Sequence, residues 1–188
     1  NEEIIDIKKE SPNIKFEKIK KESIVIAPHM YGIPVDVTKI ENRDIIEDCA
    51  QSLGAKINGI SVGLHGNAGI FSFYATKLMT SGGHGGMYVS KDKKLVDRVK
   101  DYREFDYRHD QKKRFNFQMT EIQAAIGREQ LKKLPRMFLA ESRLHQKIGL
   151  MLTRLERFLP TYRDIFRIFT IQIIERGKRN EVAFIPAS

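Results

Sequence analysis

Four short runs constrain the fold of this chain more than anything else in it: Ser23 to Ala27, Asp44 to Asp48, Ala68 to Phe73 and Gly86 to Ser90. Each reads as a β-strand, and each is continuously apolar where a half-exposed strand would alternate. That pattern belongs to strands covered on both faces, so it predicts an α/β sheet with buried strands. After Ser90 the period changes, with Leu95, Val96, Val99 and Tyr102 recurring on one helical face. Thr120-Glu121-Ile122-Gln123 announces a second helix, because a Thr cap and a Gln three residues on satisfy each other's backbone donors. That helix is expected to end at Pro135, with a third over about Phe138 to Phe158 and a stop near Pro160. Ile165 to Ile174 reads as a further strand, followed by the charged turn Glu175-Arg176-Gly177-Lys178, in a smaller second layer.

The chain has 188 residues, 41% hydrophobic and 30% charged, which is enough to bury a sizeable core and ordinary for a globular domain. Its apolar runs are far shorter than the roughly 20 residues needed to span a bilayer, and no signal-peptide pattern opens the chain. The first residue is Asn1 with no Met before it, as expected of a processed or partial product. A single cysteine, Cys49, makes no internal disulfide and fits a cytoplasmic setting. The net charge of +9 can attract nucleic acid or a phosphorylated ligand. Between Lys91 and Arg114, however, ten Lys and Arg alternate with six Asp and Glu, which reads as a solvated helix and loop rather than a phosphate-tracking groove. The histidines lack metal-ligand spacing, and no metal site is expected.

The chemistry concentrates in Phe71-Ser72-Phe73-Tyr74-Ala75-Thr76-Lys77 and, upstream, in Glu47-Asp48-Cys49-Ala50-Gln51. An acid at the end of an apolar strand, a hydroxyl, and a lysine five residues past that hydroxyl are the groups that pyridoxal 5'-phosphate (PLP) chemistry brings together. The lysine ties the aldehyde, and a carboxylate beside the ring nitrogen keeps that nitrogen protonated. Asp48 ends its strand where open α/β sheets place ligands, and Gln51 can donate toward the ring oxygen or the substrate. Ser72 and Thr76 offer hydroxyls, and Gly82, Gly83, Gly85 and Gly86 let the backbone turn tightly nearby. Taken singly, Lys77 reads as a surface lysine, Asp48 as a helix cap and Cys49 as a small buried residue. His84 reads as a loop residue, while His29, at a strand end, can approach the same cleft.

With these motifs in hand, the sequence resembles the DegT/DnrJ/EryC1/StrS family of sugar aminotransferases, fold type I PLP enzymes that aminate nucleotide-linked ketosugars. The resemblance runs from about Asp6 to Leu159. It is carried by Ala27-Pro28-His29-Met30-Tyr31-Gly32-Ile33-Pro34, by Ile46 to Ala55, by Gly69 to Lys77, and by Asn116 to Ala125. It implies that Lys77 is the Schiff-base lysine, Asp48 the partner of the pyridinium nitrogen, Gln51 a contact to the ring oxygen and Ser72 a phosphate ligand. Asn116 matches the asparagine that reaches the phosphate in the neighbouring subunit, which implies a homodimer with shared active sites. His84 and Gln118 stand where the family more often has an acid and an arginine. Family members are about twice as long; the first phosphate-binding turn and a ring-stacking aromatic, which they carry before the position of Asp6, are missing here.

The resulting expectation is an α/β fold: a fold type I large-domain core with a mixed, mostly parallel sheet over 1–135, and a connecting helix with a partial small C-terminal α+β domain over 136–188. The expected activity is transfer of an amino group from an amino acid, glutamate by resemblance, to a nucleotide-linked ketosugar, with neither membrane nor nucleic acid as partner. Two alternatives stay open: a truncated non-catalytic homologue acting through dimerisation or regulation, and a basic nucleic-acid-binding module.

Overall fold

The computed structural model describes residues 4–156 except 9–10, 16, 18 and 42–43. All four apolar runs form strands, and they pair into one sheet. An antiparallel pair comes first, β1 (Ile7–Lys8) with β2 (Ser11–Ile14). The main sheet follows: β3 (Val25–Pro28), β4 (Ile45–Asp48), β7 (Ala68–Ser72) and β8 (Gly86–Val89), side by side in that order. Its first three strands run parallel and β8 runs antiparallel, giving the expected mixed, mostly parallel sheet.

Parallel neighbours cannot be joined by a tight turn, so the chain must cross back between them. Between β3 and β4 the crossing uses two single 3-10 turns, Met30–Gly32 and Val37–Lys39. Between β4 and β7 it uses a small hairpin, β5 (Lys56–Ile57) and β6 (Ile60–Ser61). Asn58 and Gly59 turn that hairpin with φ of 50° and 80°, the left-handed pair that such short connections need.

The core sits on one side of the sheet. Val25, Ala27 and Ile45 pack there with Ile14, Val35, Val37 and Ile40, and a second cluster joins Cys49, Ala55, Ile57 and Val62 with Phe71 against them. The other side differs from the expectation of strands covered on both faces. Ile24 is 70% exposed, Ile26 62% and Ile70 39%. The described residues therefore leave much of the second face open, and β3 and β4 alternate in burial although not in composition.

Helix α1 (Lys93–Arg103) starts at Asp92, whose Oδ1 accepts the Lys94 N–H at 2.8 Å. Helix α2 (Glu121–Glu156) begins with the reciprocal cap expected from sequence: Thr120 N–H donates to Gln123 Oε1 at 3.0 Å, and Gln123 N–H to Thr120 Oγ1 at 3.3 Å. The expected break at Pro135 is absent, and α2 runs through it as one helix. A proline removes one helical hydrogen bond, a loss that packing on its far side can offset. Here Phe138 is 4% exposed, and its ring lies so close to Gly54 that a Cβ there would stand 2.2 Å from Cζ. The strand expected over 165–174 and the turn after it lie outside the described residues.

Candidate active site

β3, β4 and β7 end side by side, and the segments leaving their C-terminal ends converge. A pocket of about 240 Å³ opens there, lined by Gly32 from the first segment, Gln51 and Ser52 from the second, and Ser72, Thr76 and Lys77 from the third. Open parallel sheets place ligands at this position because the loops above the strand ends leave a crevice. The sequence-predicted Lys77, Gln51 and Ser72 thus share one pocket.

Lys77 is held by its backbone. Phe73 N–H donates to Gly85 O at 2.8 Å, Ala75 N–H to Gly83 O at 3.0 Å, and Lys77 N–H to Tyr74 O at 3.0 Å. The lysine turn is therefore stapled to the glycine-rich turn, where Gly82 and Gly83 take φ of 82° and 121°. A side chain at either position would strain that backbone. Ser72 Oγ accepts the Tyr74 N–H at 3.3 Å, which leaves its own O–H to donate. Gln51 Oε1 accepts the Tyr31 N–H at 2.9 Å.

Asp48 ends β4 and stands two residues before Ala50, which lines the pocket. Its Oδ1 accepts the Ala50 N–H at 3.0 Å, fixing the turn that delivers Gln51, and its Oδ2 makes no hydrogen bond among the described residues. Asn116 is not brought to this pocket. It lines a separate groove of about 1330 Å³ with residues of β8, α1 and the start of α2, and Met79 borders both cavities. The segment before Asn116 is pinned by Arg114, whose guanidinium binds Asp101 and Asp110. His84 lines the same groove with its ring edge-on to Tyr74, centroids 5.4 Å apart. Gln118 Nε2 donates to Asp106 Oδ2 at 3.3 Å.

The sequence reading missed Glu47 and misplaced His29. Both are fully buried, and His29 faces Glu47 rather than the cleft, with Nε2 at 3.1 Å from Oε2. His29 Nδ1 accepts the Val35 N–H at 2.8 Å, so Nδ1 is the bare nitrogen and Nε2 carries the proton. Glu47 also accepts from Gly63 N–H at 2.9 Å, His65 N–H at 2.7 Å and Gly66 N–H at 2.8 Å. Burial alone raises its pKa, but these four donors outweigh it and bring the carboxyl down to about 2. One carboxylate thus ties the 29–35 and 61–67 segments to the middle strands of the sheet. The signal was available: neighbours on a strand point to opposite faces, so Glu47 and Asp48 cannot both serve one cleft.

His29, Glu47 and Cys49 place potential ligand atoms within 4.8 Å of one another. Each is already engaged. Both imidazole nitrogens have partners, the carboxylate accepts four bonds, and burial together with the Glu47 charge pushes the Cys49 thiol up to about 12, far from the thiolate a metal needs.

Comparison with known proteins decides the family. The model of the DegT/DnrJ/EryC1/StrS aminotransferase family matches residues 3–179. The chain belongs to this family. It is 34% identical over 166 residues to a UDP-N-acetyl-3-dehydro-alpha-D-glucosamine 3-aminotransferase from Acidithiobacillus ferrooxidans, covering 81% of this chain and 45% of that protein. It is 38% identical over 133 residues to the GDP-perosamine synthase of Escherichia coli O157:H7, covering 64% and 36%. An aminotransferase structure from Psychrobacter cryohalolentis superposes with a TM-score of 0.65 at 30% identity, over 81% of this chain and 45% of that one. The chain therefore spans less than half the length of the relatives it matches. The described α/β core is the fold of this family's PLP-dependent aminotransferases, as the apolar runs and motifs predicted.

Proposed function

We propose that this chain carries the lysine-bearing core of a PLP-dependent sugar aminotransferase, which moves an amino group from an amino acid, glutamate by family resemblance, to a nucleotide-linked ketosugar. The observation behind this reading is the convergence of Lys77, Gln51 and Ser72 on one pocket at the ends of parallel strands. An amine, an amide donor, hydroxyls and a nearby carboxylate are the donor set that fits a phosphorylated aldehyde ring. When bound, that ring supplies an electron sink for the bond being broken.

The residues divide the work by their chemistry. Lys77 Nζ is the amine that would hold the aldehyde, and as a free amine it could take and return a proton as base and acid. Asp48 would keep the ring nitrogen protonated with Oδ2, which makes no hydrogen bond among the described residues. Gln51 donates to the ring oxygen, and the Ser72 hydroxyl donates to the phosphate. Asn116, in the neighbouring groove, serves the phosphate of a second subunit, which makes the working form a homodimer with shared sites. With α2 unbroken across residue 135, the divisions 1–135 and 136–188 become a large-domain core and a connecting helix leading to a small domain. No helix among the described residues is long and apolar enough to cross a membrane, and the lone cysteine is free and buried. Both facts fit a cytoplasmic enzyme.

Visible absorption tests the reading. Mixed with PLP, the protein is expected to develop a cofactor band that is absent from Lys77→Ala. Asp48→Ala is expected to abolish transamination more than it weakens PLP binding; equal loss of both refutes its assigned role. The exposed apolar face of the sheet favours a second reading, a non-catalytic homologue acting through dimerisation. A dimer that shows no band at saturating PLP would select it.

A further inference from the structure

Tyr31 is a strained residue beside the pocket. Its backbone lies in the left-handed region at φ 53° and ψ 27°, a conformation that bulky side chains rarely adopt. The residue is 51% exposed, so burial does not account for the strain. Gly32, which lines the pocket, follows with φ 75°. Both ends of the turn are anchored independently of any ligand. His29 N–H donates to Asp48 O at 3.0 Å, Ile33 N–H to Met30 O at 2.9 Å, and Val35 N–H to His29 Nδ1 at 2.8 Å. What the conformation achieves is the aim of one group, the Tyr31 N–H, at Gln51 Oε1.

A backbone N–H can only donate, so the amide end facing it must be the oxygen; the reversed amide would set donor against donor. Gln51 makes no other hydrogen bond among the described residues, which leaves its Nε2–H groups for a ligand. We infer that Tyr31 is a positioning residue whose strained backbone locks the Gln51 amide with its donor end available to the pocket, so that the site selects a ring bearing an acceptor oxygen. This rests on the cofactor reading above and adds to it the device that sets ring selectivity.

The test replaces the Tyr31 N–H with an ester oxygen by incorporating the tyrosine α-hydroxy acid, which deletes one donor and no side chain. Affinity for PLP is compared with that for its analogue lacking the ring hydroxyl, and the pH midpoint of the bound ring's visible band is recorded. A hydrogen bond to a charged oxygen corresponds to a preference of about tenfold or more for PLP in the parent protein. The ester variant is expected to lose most of that preference and to shift the midpoint. Gln51→Glu, which keeps an oxygen for Tyr31 but offers no donor, is expected to lose it too. An ester variant that keeps both preference and midpoint overturns the inference. Failure of the parent protein to bind either ring sinks the cofactor reading instead, and cofactor-free hydrogen exchange then decides. Tyr31 N–H protection should fall at least tenfold in Gln51→Ala and persist in Gln51→Glu; equal protection in all three proteins overturns the positioning role.

Discussion

Glu47→Gln preserves the shape of a fully buried side chain and changes only what its two end atoms can do. Oε1 accepts from His65 N–H and Gly66 N–H, and Oε2 accepts from Gly63 N–H and His29 Nε2. Whichever way the new amide turns, its NH2 meets two donors. The His29 tautomer cannot rescue it, because a proton moved to Nδ1 would then face the Val35 N–H. At least two buried N–H groups lose their acceptor, at about 1–3 kcal/mol each. A second route gives a similar size. A carboxyl held at about 2, against 4.5 for an ordinary glutamate, contributes about 3 kcal/mol to stability at neutral pH. Because the folded pKa is the lower one, that contribution is present above the unfolded value and is lost as pH falls through the folded value. Urea unfolding followed by circular dichroism, suited to a chain without tryptophan, should show Glu47→Gln less stable by about 3 kcal/mol at neutral pH. The gap should shrink between about pH 5 and about pH 2. A difference below about 1 kcal/mol at neutral pH, or one that does not change with pH, would refute the reasoning.

Cys49 is 1% exposed, with its thiol pushed up to about 12 chiefly by burial and by the charge of Glu47. In mildly alkaline buffer it should resist a disulfide thiol reagent until urea unfolds the chain; rapid modification of the folded protein contradicts that placement. Gly69→Ala should destabilise by about 1–3 kcal/mol in the same urea assay, because its Cβ would stand 2.4 Å from Gly63 Cα, and backbone cannot step aside as a side chain tip can. A neutral effect would mean the 61–67 segment does not pack on β7 as described.

What could be read in advance followed from local rules. The four strands were visible because β-rich apolar runs bounded by polar residues have few alternatives, and the Thr120–Gln123 cap because its two bonds need only three residues of spacing. Lys77, Gln51 and Ser72 were legible as a motif, and the crossovers then brought them to one pocket. The open face of the sheet was not legible, since a run such as Ile24-Val25-Ile26-Ala27 carries no mark of which side finds a partner. Pro135 misled because a breaker rule knows nothing of Phe138 docking on Gly54. The His29–Glu47 pair joins the residue just past β3 to the middle of β4 and needs the register Ala27 to Glu47 before it can be seen. The Tyr31 strain is set by tertiary anchors at both ends of its turn, so no propensity at Tyr31 announces it.

The central claim is that Lys77 is the amine that takes the aldehyde. Incubation with PLP, reduction with borohydride and peptide mass mapping test it on a chain rich in other lysines. The account predicts a phosphopyridoxyl mass on Lys77 at nearly one per chain, before any other lysine is labelled. Label spread over surface lysines with Lys77 unmodified would contradict it.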